Sequence, residues 1–181
     1  KAGLVEVDDL IIDAKSGASG AGRSLKQNLL FCETGEGAAP YAIASHRHAP
    51  EIEQEVSLAA GREIRVNFTP HLVPMSRGEL CTIYARLAGG ATSADCSAEL
   101  ERAYADEPFV RVSERPPSTK WTLGSNAVHL TARYDQRTGR ILALAALDNL
   151  VKGAAGQMIQ CANLMLGLDE TAGLPRVGVW P

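Results

Sequence analysis

NAVHLTARYDQRTGRILALAAL, residues 126–147, contains two runs of alternating character separated by the segment DQRTG at 135–139. Alternation at every second residue sends one set of side chains to each face of an extended chain, the pattern of a half-buried strand. A short polar loop ending in glycine joins strands that run in opposite directions. The stretch therefore predicts an antiparallel hairpin.

Outward from the hairpin, further strands are predicted at Leu4–Asp13, at EIRVNF (63–68), at ELCTIYARL (79–87) and at FVRVS (109–113). Helices are predicted at PEIEQEVSLAA (50–60), which has proline in its first turn and acids near its start, and at SADCSAELERAYADE (93–107). A third helix is expected to begin near Val151 and end by Gly167, and RPPSTKW (115–121) reads as a loop. Strands outnumber helices and hairpin signals outnumber strand-helix-strand units. This is the signature of an α+β domain with a mixed, largely antiparallel sheet.

With 181 residues, 45% of them hydrophobic, the chain is long enough to bury one sizeable core without staples. Its net charge of −3, with both signs interspersed, gives no basic stripe and argues against a nucleic-acid partner. No apolar run approaches the length of a membrane span and the first residues lack a leader pattern, so a soluble, cytoplasmic protein with no membrane partner is expected. Cys32, Cys81, Cys96 and Cys161 form no C-x-x-C pair and read as reduced, buried, structural thiols. The chain opens on Lys1 rather than methionine, which suggests a piece of a longer protein.

Two stretches carry chemistry. In IIDAKSGASGAGRSL (11–25), Gly17, Gly20 and Gly22 reverse the G-x-G-x-x-G spacing of a dinucleotide loop, and later glycines break any crossover helix. A plain turn remains open, as does a turn whose small residues let the backbone approach a bound group, with Arg23 as a forked cation for a carboxylate or phosphate. In ASHRHAPEIEQE (44–55), Ala49 precedes proline and favours an extended backbone. If His46–Ala49 is extended, His46 and His48 point one way and Arg47 the other, toward one pocket at a helix start. A solvated loop, a proton-transfer pair and a metal site completed by His71 are the alternatives; no acid or cysteine stands at ligand spacing, so no metal is expected.

SGASGAGR (16–23), HRHAPEIEQE (46–55), VNFTPHLVPMSRGEL (66–80), EPFV (107–110), GSN (124–126), DNLVKGAAGQMIQCANLMLGL (148–168) and GLPRVGVWP (173–181) stand in one order along nearly the whole chain. Together they resemble the substrate and dimerization part of the N-acetyl-gamma-glutamyl-phosphate reductases, within the aspartate-semialdehyde dehydrogenase group. The resemblance implies a sheet like that of the C-terminal domain of glyceraldehyde-3-phosphate dehydrogenase, with helices packed on one face. It implies residues 1–181 as a substrate-binding and oligomerization domain whose N-terminal nucleotide-binding domain lies outside this sequence.

The resemblance further implies NADPH-dependent reduction of N-acetylglutamyl phosphate to the semialdehyde, in arginine biosynthesis, by way of a cysteine nucleophile. His46 matches the position of the general base and His48 a supporting or substrate-contacting group. Ser19, Arg23 and Arg47 are the expected substrate contacts, the arginines by charge. Asn149, Lys152, Gly153, Ala154, Ala155 and Gly156 are expected near the NADP nicotinamide, or else only pack against the other domain. The nucleophile segment of the family, NPGCY-like, is absent, and none of the four cysteines stands in its context. The fragment alone is therefore expected to be inactive, with its own N-terminal domain and further copies of itself as partners. A reductase of aspartyl phosphate and a non-catalytic assembly module are the competing readings.

Overall fold

The computed structural model describes residues 2–179, so the last two residues of the GLPRVGVWP motif lie outside the described residues. Among them seven strands form one sheet: β1 (Val5–Gly17), β2 (Ala39–Pro40), β3 (Val66–Val73), β4 (Glu79–Leu87), β5 (Val110–Val112), β6 (Val128–Asp135) and β7 (Arg140–Leu147). Their order is β2-β3-β1-β4-β7-β6-β5. The pairs β1–β3 and β5–β6 are parallel and the other neighbours antiparallel, giving the mixed, largely antiparallel sheet expected.

The predicted hairpin is β6 and β7, paired from Val128↔Leu147 to Asp135↔Arg140. Its turn is held by the Asp135 carboxylate, which accepts from the Arg137 amide at 3.0 Å and the Thr138 hydroxyl at 2.9 Å. Gly139 completes it at φ 68°, a left-handed conformation that costs glycine little. β4 spans the predicted residues, whereas β3 begins later than predicted. The Ile64 amide donates to Ser57 Oγ at 2.8 Å and Arg65 pairs with Glu53 at 2.7 Å, so this segment is drawn onto the preceding helix before strand pairing starts.

Among the described residues five α-helices accompany the sheet: α1 (Phe31–Thr34), α2 (Ala49–Ala60), α3 (Ser93–Ala103), α4 (Thr119–Thr122) and α5 (Gly156–Met165). α2 ends at Gly61, φ 73°, and α3 opens on a capping box in which the Asp95 amide donates to Thr92 Oγ1 and the Thr92 amide donates to Asp95 Oδ2. α3 stops short of the predicted Glu107, because the backbone leaves helical geometry at Tyr104. The stretch read as a plain loop at 115–121 contains the start of the single turn α4.

Strand register decides which residues share a face. On one face stand Leu10, Ile12, Ala14 and Ser16 of β1, beside Val66, Phe68, Pro70 and Leu72 of β3 and Glu79, Cys81, Ile83 and Ala85 of β4. Half of this face lies under α2 and α3, where Val56, Cys96 and Leu100 pack on Leu10, Ala85, Ala132 and Ile141. Its other half is free of helices and becomes the floor of a cleft. The opposite face carries Ile11, Asp13, Lys15, Tyr84, Leu142 and Leu144, all half-buried. Only Cys96 meets the expectation of a buried thiol in full: Cys81 is partly buried, while Cys32, on the single turn α1, and Cys161, on α5, are exposed. All four are free thiols.

Candidate active site

Beyond the helix-covered core, Ala14, Phe68, Pro70 and Glu79 floor a cleft of about 660 Å³. Three chain segments wall it: the glycine turn after β1 with Lys26, the segment Tyr41–His48, and Asn149–Met158 at the start of the last helix. Its size and apolar floor with a few polar side chains suit a small molecule.

The sheet brings His46, Arg47 and His48 to this cleft, but by a different backbone from the one predicted. Instead of extended chain, His46–Ala49 is a turn: the Ala49 amide donates to the His46 carbonyl at 3.0 Å, and His48, at φ −84° and ψ −12°, already has helical angles as the N-cap of α2. The helix start overrides the preference of the residue before proline. The two rings still meet, edge to face with centroids 4.9 Å apart, and the Tyr41 and Phe68 rings approach His46 at 5.5 and 5.2 Å. The His48 amide donates to His46 Nδ1 at 3.2 Å, which leaves the proton of the neutral ring on Nε2.

Burial, then the nearby His48 and Arg47, hold His46 below the usual imidazole range, so the ring is neutral at physiological pH. His71 takes no part in this cluster. It is next to Pro70 in β3 and so faces the other side of the sheet, where Nδ1 lies 3.2 Å from Asp13 Oδ1.

The glycine turn is a scaffold of close backbone approaches. Its amides at Gly17, Ala18 and Ser19 donate to the carbonyls of Gly78, Met75 and Ser76, and a Cβ at Gly17 would lie 2.9 Å from Met75 O. Asn149 spans the two loops, accepting from the Gly78 amide at 2.8 Å and donating to Ser19 Oγ at 3.1 Å. Asn149 and Ser19 thus hold each other, and Arg23 is exposed and does not line the cleft.

Next to Asn149, Asp148 is fully buried. It accepts from Arg77 at 2.9 Å, the Gly124 amide at 2.7 Å, and the Leu150 and Val151 amides at 2.9 and 3.0 Å. Burial pushes this carboxyl up, yet the Arg77 bond and the three amides together outweigh it and hold it below the usual carboxylate range.

The last helix begins with a wide π turn, Val151–Ala155, in which the Gly153 and Ala155 amides donate five residues back, to the Asp148 and Leu150 carbonyls at 3.0 and 3.1 Å. This divides the six predicted cofactor residues. Gly153 and Ala154 join Asn149 on the cleft wall, with Leu150 and Met158, and at these two positions the wall bears no side chain larger than methyl.

Lys152, Ala155 and Gly156 do not line the cleft. Lys152 donates to Gln160 Oε1 at 2.7 Å and lies 5.6 Å from the Phe109 ring centroid. Behind the wall the GSN motif meets the same helix: Asn126 Nδ2 donates to Gln160 Oε1 at 2.8 Å, and the Asn126 amide donates to Pro175 O at 2.8 Å. A Cβ at Gly156 would overlap Asn126 Oδ1, so this glycine serves packing.

Two charged cleft residues escaped sequence reasoning. Lys26 lies in a loop with no motif, and Glu79 opens a strand whose facing becomes visible only from the register against Ser16. Burial pushes the Glu79 carboxyl up, partly offset by the Cys81 thiol and by His48. Burial and Glu79 in turn push Cys81 up to about 12, which makes it an inert thiol.

The fold and this cleft define a class: an α+β domain whose sheet is covered by helices on one face and bears a histidine-lined cleft beyond them. The chain belongs to the family described as semialdehyde dehydrogenase, dimerisation domain, whose model matches residues 1–149. Among curated proteins it is 49% identical over 183 residues to the N-acetyl-gamma-glutamyl-phosphate reductase of Moorella thermoacetica, covering 100% of this chain and 53% of that protein. The namesake of Rhodospirillum rubrum is 50% identical over 183 residues, covering 100% of this chain and 52% of the relative. The chain thus spans about half the length of the curated relatives it matches. Among solved structures, aspartate semialdehyde dehydrogenase II of Vibrio cholerae shares the fold, with a TM-score of 0.68 at 17% identity over 90% of this chain and 56% of that one.

Proposed function

We propose that this chain is the substrate-binding and oligomerization half of an NADP-dependent N-acetyl-gamma-glutamyl-phosphate reductase of arginine biosynthesis, and that its cleft holds N-acetylglutamyl phosphate. The observation that carries the proposal is the meeting of His46, His48 and Arg47 over an apolar floor in a chain about half identical, along its whole length, to reductases of that name.

In this reading the acyl group passes from phosphate to a cysteine thiolate supplied by the nucleotide-binding half. The reduced cofactor, NADPH, bound mainly by that half, would supply the hydride. His46 is the proton acceptor for the thiol, a role suited to an imidazole kept neutral by burial. With Nδ1 accepting from the His48 amide, Nε2–H is a donor. Accepting a proton there needs the proton on Nδ1 and gives up one 3.2 Å bond from the His48 amide, a cost of about 1 kcal/mol. Once charged, the ring can return the proton to the departing phosphate. Asn149, Gly153 and Ala154 form the wall for the nicotinamide, with Asn149 bracing the glycine turn. Lys152, Ala155 and Gly156 support that wall from behind.

Uncovered apolar surface supports a partner half. On α5 and just beyond it, Met158, Met165 and Leu166 are 70%, 86% and 73% exposed, and an apolar groove of about 580 Å³ opens between α2 and α3. The open face of the sheet, with Ile11, Tyr84, Leu142 and Leu144, supports association with a second copy.

The test is an assay of the complete polypeptide with N-acetylglutamyl phosphate and with aspartyl phosphate. NADPH oxidation with the former alone supports the proposal. Preference for aspartyl phosphate, or no turnover of either, contradicts it.

A further inference from the structure

Two basic side chains line the cleft, Lys26 and Arg47. Elsewhere several bases are paired with acids: Lys15 with Asp13, Arg62 with Asp8, Arg65 with Glu53, Arg77 with Asp148, Arg140 with Asp9. Among the described residues Lys26 and Arg47, both exposed, form no ion pair, and they stand over a floor of Ala14, Phe68, Pro70 and Glu79, whose carboxyl is pushed up by burial. They belong to different walls. Arg47 adjoins His46 closely enough for its charge to act on that ring, whereas Lys26 stands on the glycine-turn wall, where the Leu29 amide closes a turn onto its carbonyl at 3.0 Å.

The substrate class of the proposed function, on which this step rests, has two anionic ends: a phosphate on the reacting acyl carbon and an α-carboxylate at the far end of the chain. The imidazole that exchanges protons with the thiol fixes where the acyl carbon sits. We infer that Arg47, beside that imidazole, takes the phosphate, and that Lys26, on the other wall, takes the α-carboxylate and so selects acyl phosphates of amino-acid skeleton. A contact at the far end of the substrate is made alike in ground and transition states. Its loss therefore raises KM and leaves kcat.

The test runs the reaction of the complete polypeptide backward: aldehyde, inorganic phosphate and NADP give acyl phosphate, NADPH and a proton. Lys26→Ala is expected to raise KM for N-acetylglutamate semialdehyde about tenfold or more, the worth of one charge-assisted bond, with kcat and the KM for phosphate changed less than about twofold. Lys26→Arg restores most of the loss. 4-Acetamidobutanal, the same aldehyde without the carboxylate, is expected to react equally with the wild type and Lys26→Ala. Arg47→Ala is expected to raise the KM for phosphate instead.

An active wild type whose Lys26→Ala variant keeps the KM for the semialdehyde, or shifts the KM for phosphate, overturns the assignment alone. A wild type that does not oxidise the semialdehyde in the presence of phosphate overturns the proposed reaction, and the assignment falls with it.

Discussion

The amide of His48 donates to Nδ1 of His46 across 3.2 Å, and the two rings meet edge to face at 4.9 Å. The start of α2 thereby fixes the ring proposed to exchange protons in the cleft. This coupling makes His46 the group whose replacement is expected to matter most. In the complete enzyme, His46→Asn is expected to lower kcat by about 10² or more, as for loss of a general base. Circular dichroism should show an unchanged fold, because His46 is only partly buried at the cleft rim. An unchanged rate at saturating substrate defeats the role.

Arg47 predicts a displacement of the pH profile. A base must be neutral to act, so activity falls as pH drops through the pKa of His46. Burial, His48 and Arg47 all lower that pKa and carry activity to more acid pH. Arg47→Gln removes one of these causes, so the acid limb of kcat/KM should move to higher pH. An unmoved limb separates Arg47 electrostatically from the base.

Asp148 predicts acid sensitivity of the fold. Its folded pKa lies below the ordinary carboxylate value, so its contribution is full above about pH 4 and is lost as pH falls through the folded value. Asp148→Asn leaves Arg77 facing a neutral amide and is expected to cost about 3 kcal/mol at neutral pH, with a smaller difference from wild type in acid. Urea unfolding of the chain at several pH values measures both.

Gly156→Ala is expected to destabilise by about 2 kcal/mol, because the added methyl meets Asn126 Oδ1 and comes within 2.7 Å of Val151 Cγ1, where neither can retreat without opening the π turn. Thermal unfolding reads it. A neutral outcome means that the helix start shifts freely.

What could be read in advance followed local periodicity. The β6–β7 hairpin and the bounds of β4 are written in alternation and in the Gly139 turn, and α2 in its proline and Gly61. The cleft was half legible. His46, Arg47 and His48 stand together because they are neighbours in sequence, yet the turn that joins them was misread, since the rule for residues before proline yields to a helix that begins at Ala49. Glu79 could not be found, because which face it occupies depends on the pairing of β4 with β1. The π turn places Lys152 against Gln160 and Phe109 rather than on the cleft wall, and no local pattern announces that wide turn.

The most direct test of the account follows the sulfur itself. In the complete enzyme, the rate at which iodoacetamide alkylates the nucleophilic cysteine is measured against pH, in the wild type and in His46→Asn. If His46 takes the thiol proton, the wild-type profile rises at a pH below the ordinary thiol range of about 8.5, and the variant rises at least about one unit later. Superimposable profiles contradict the account.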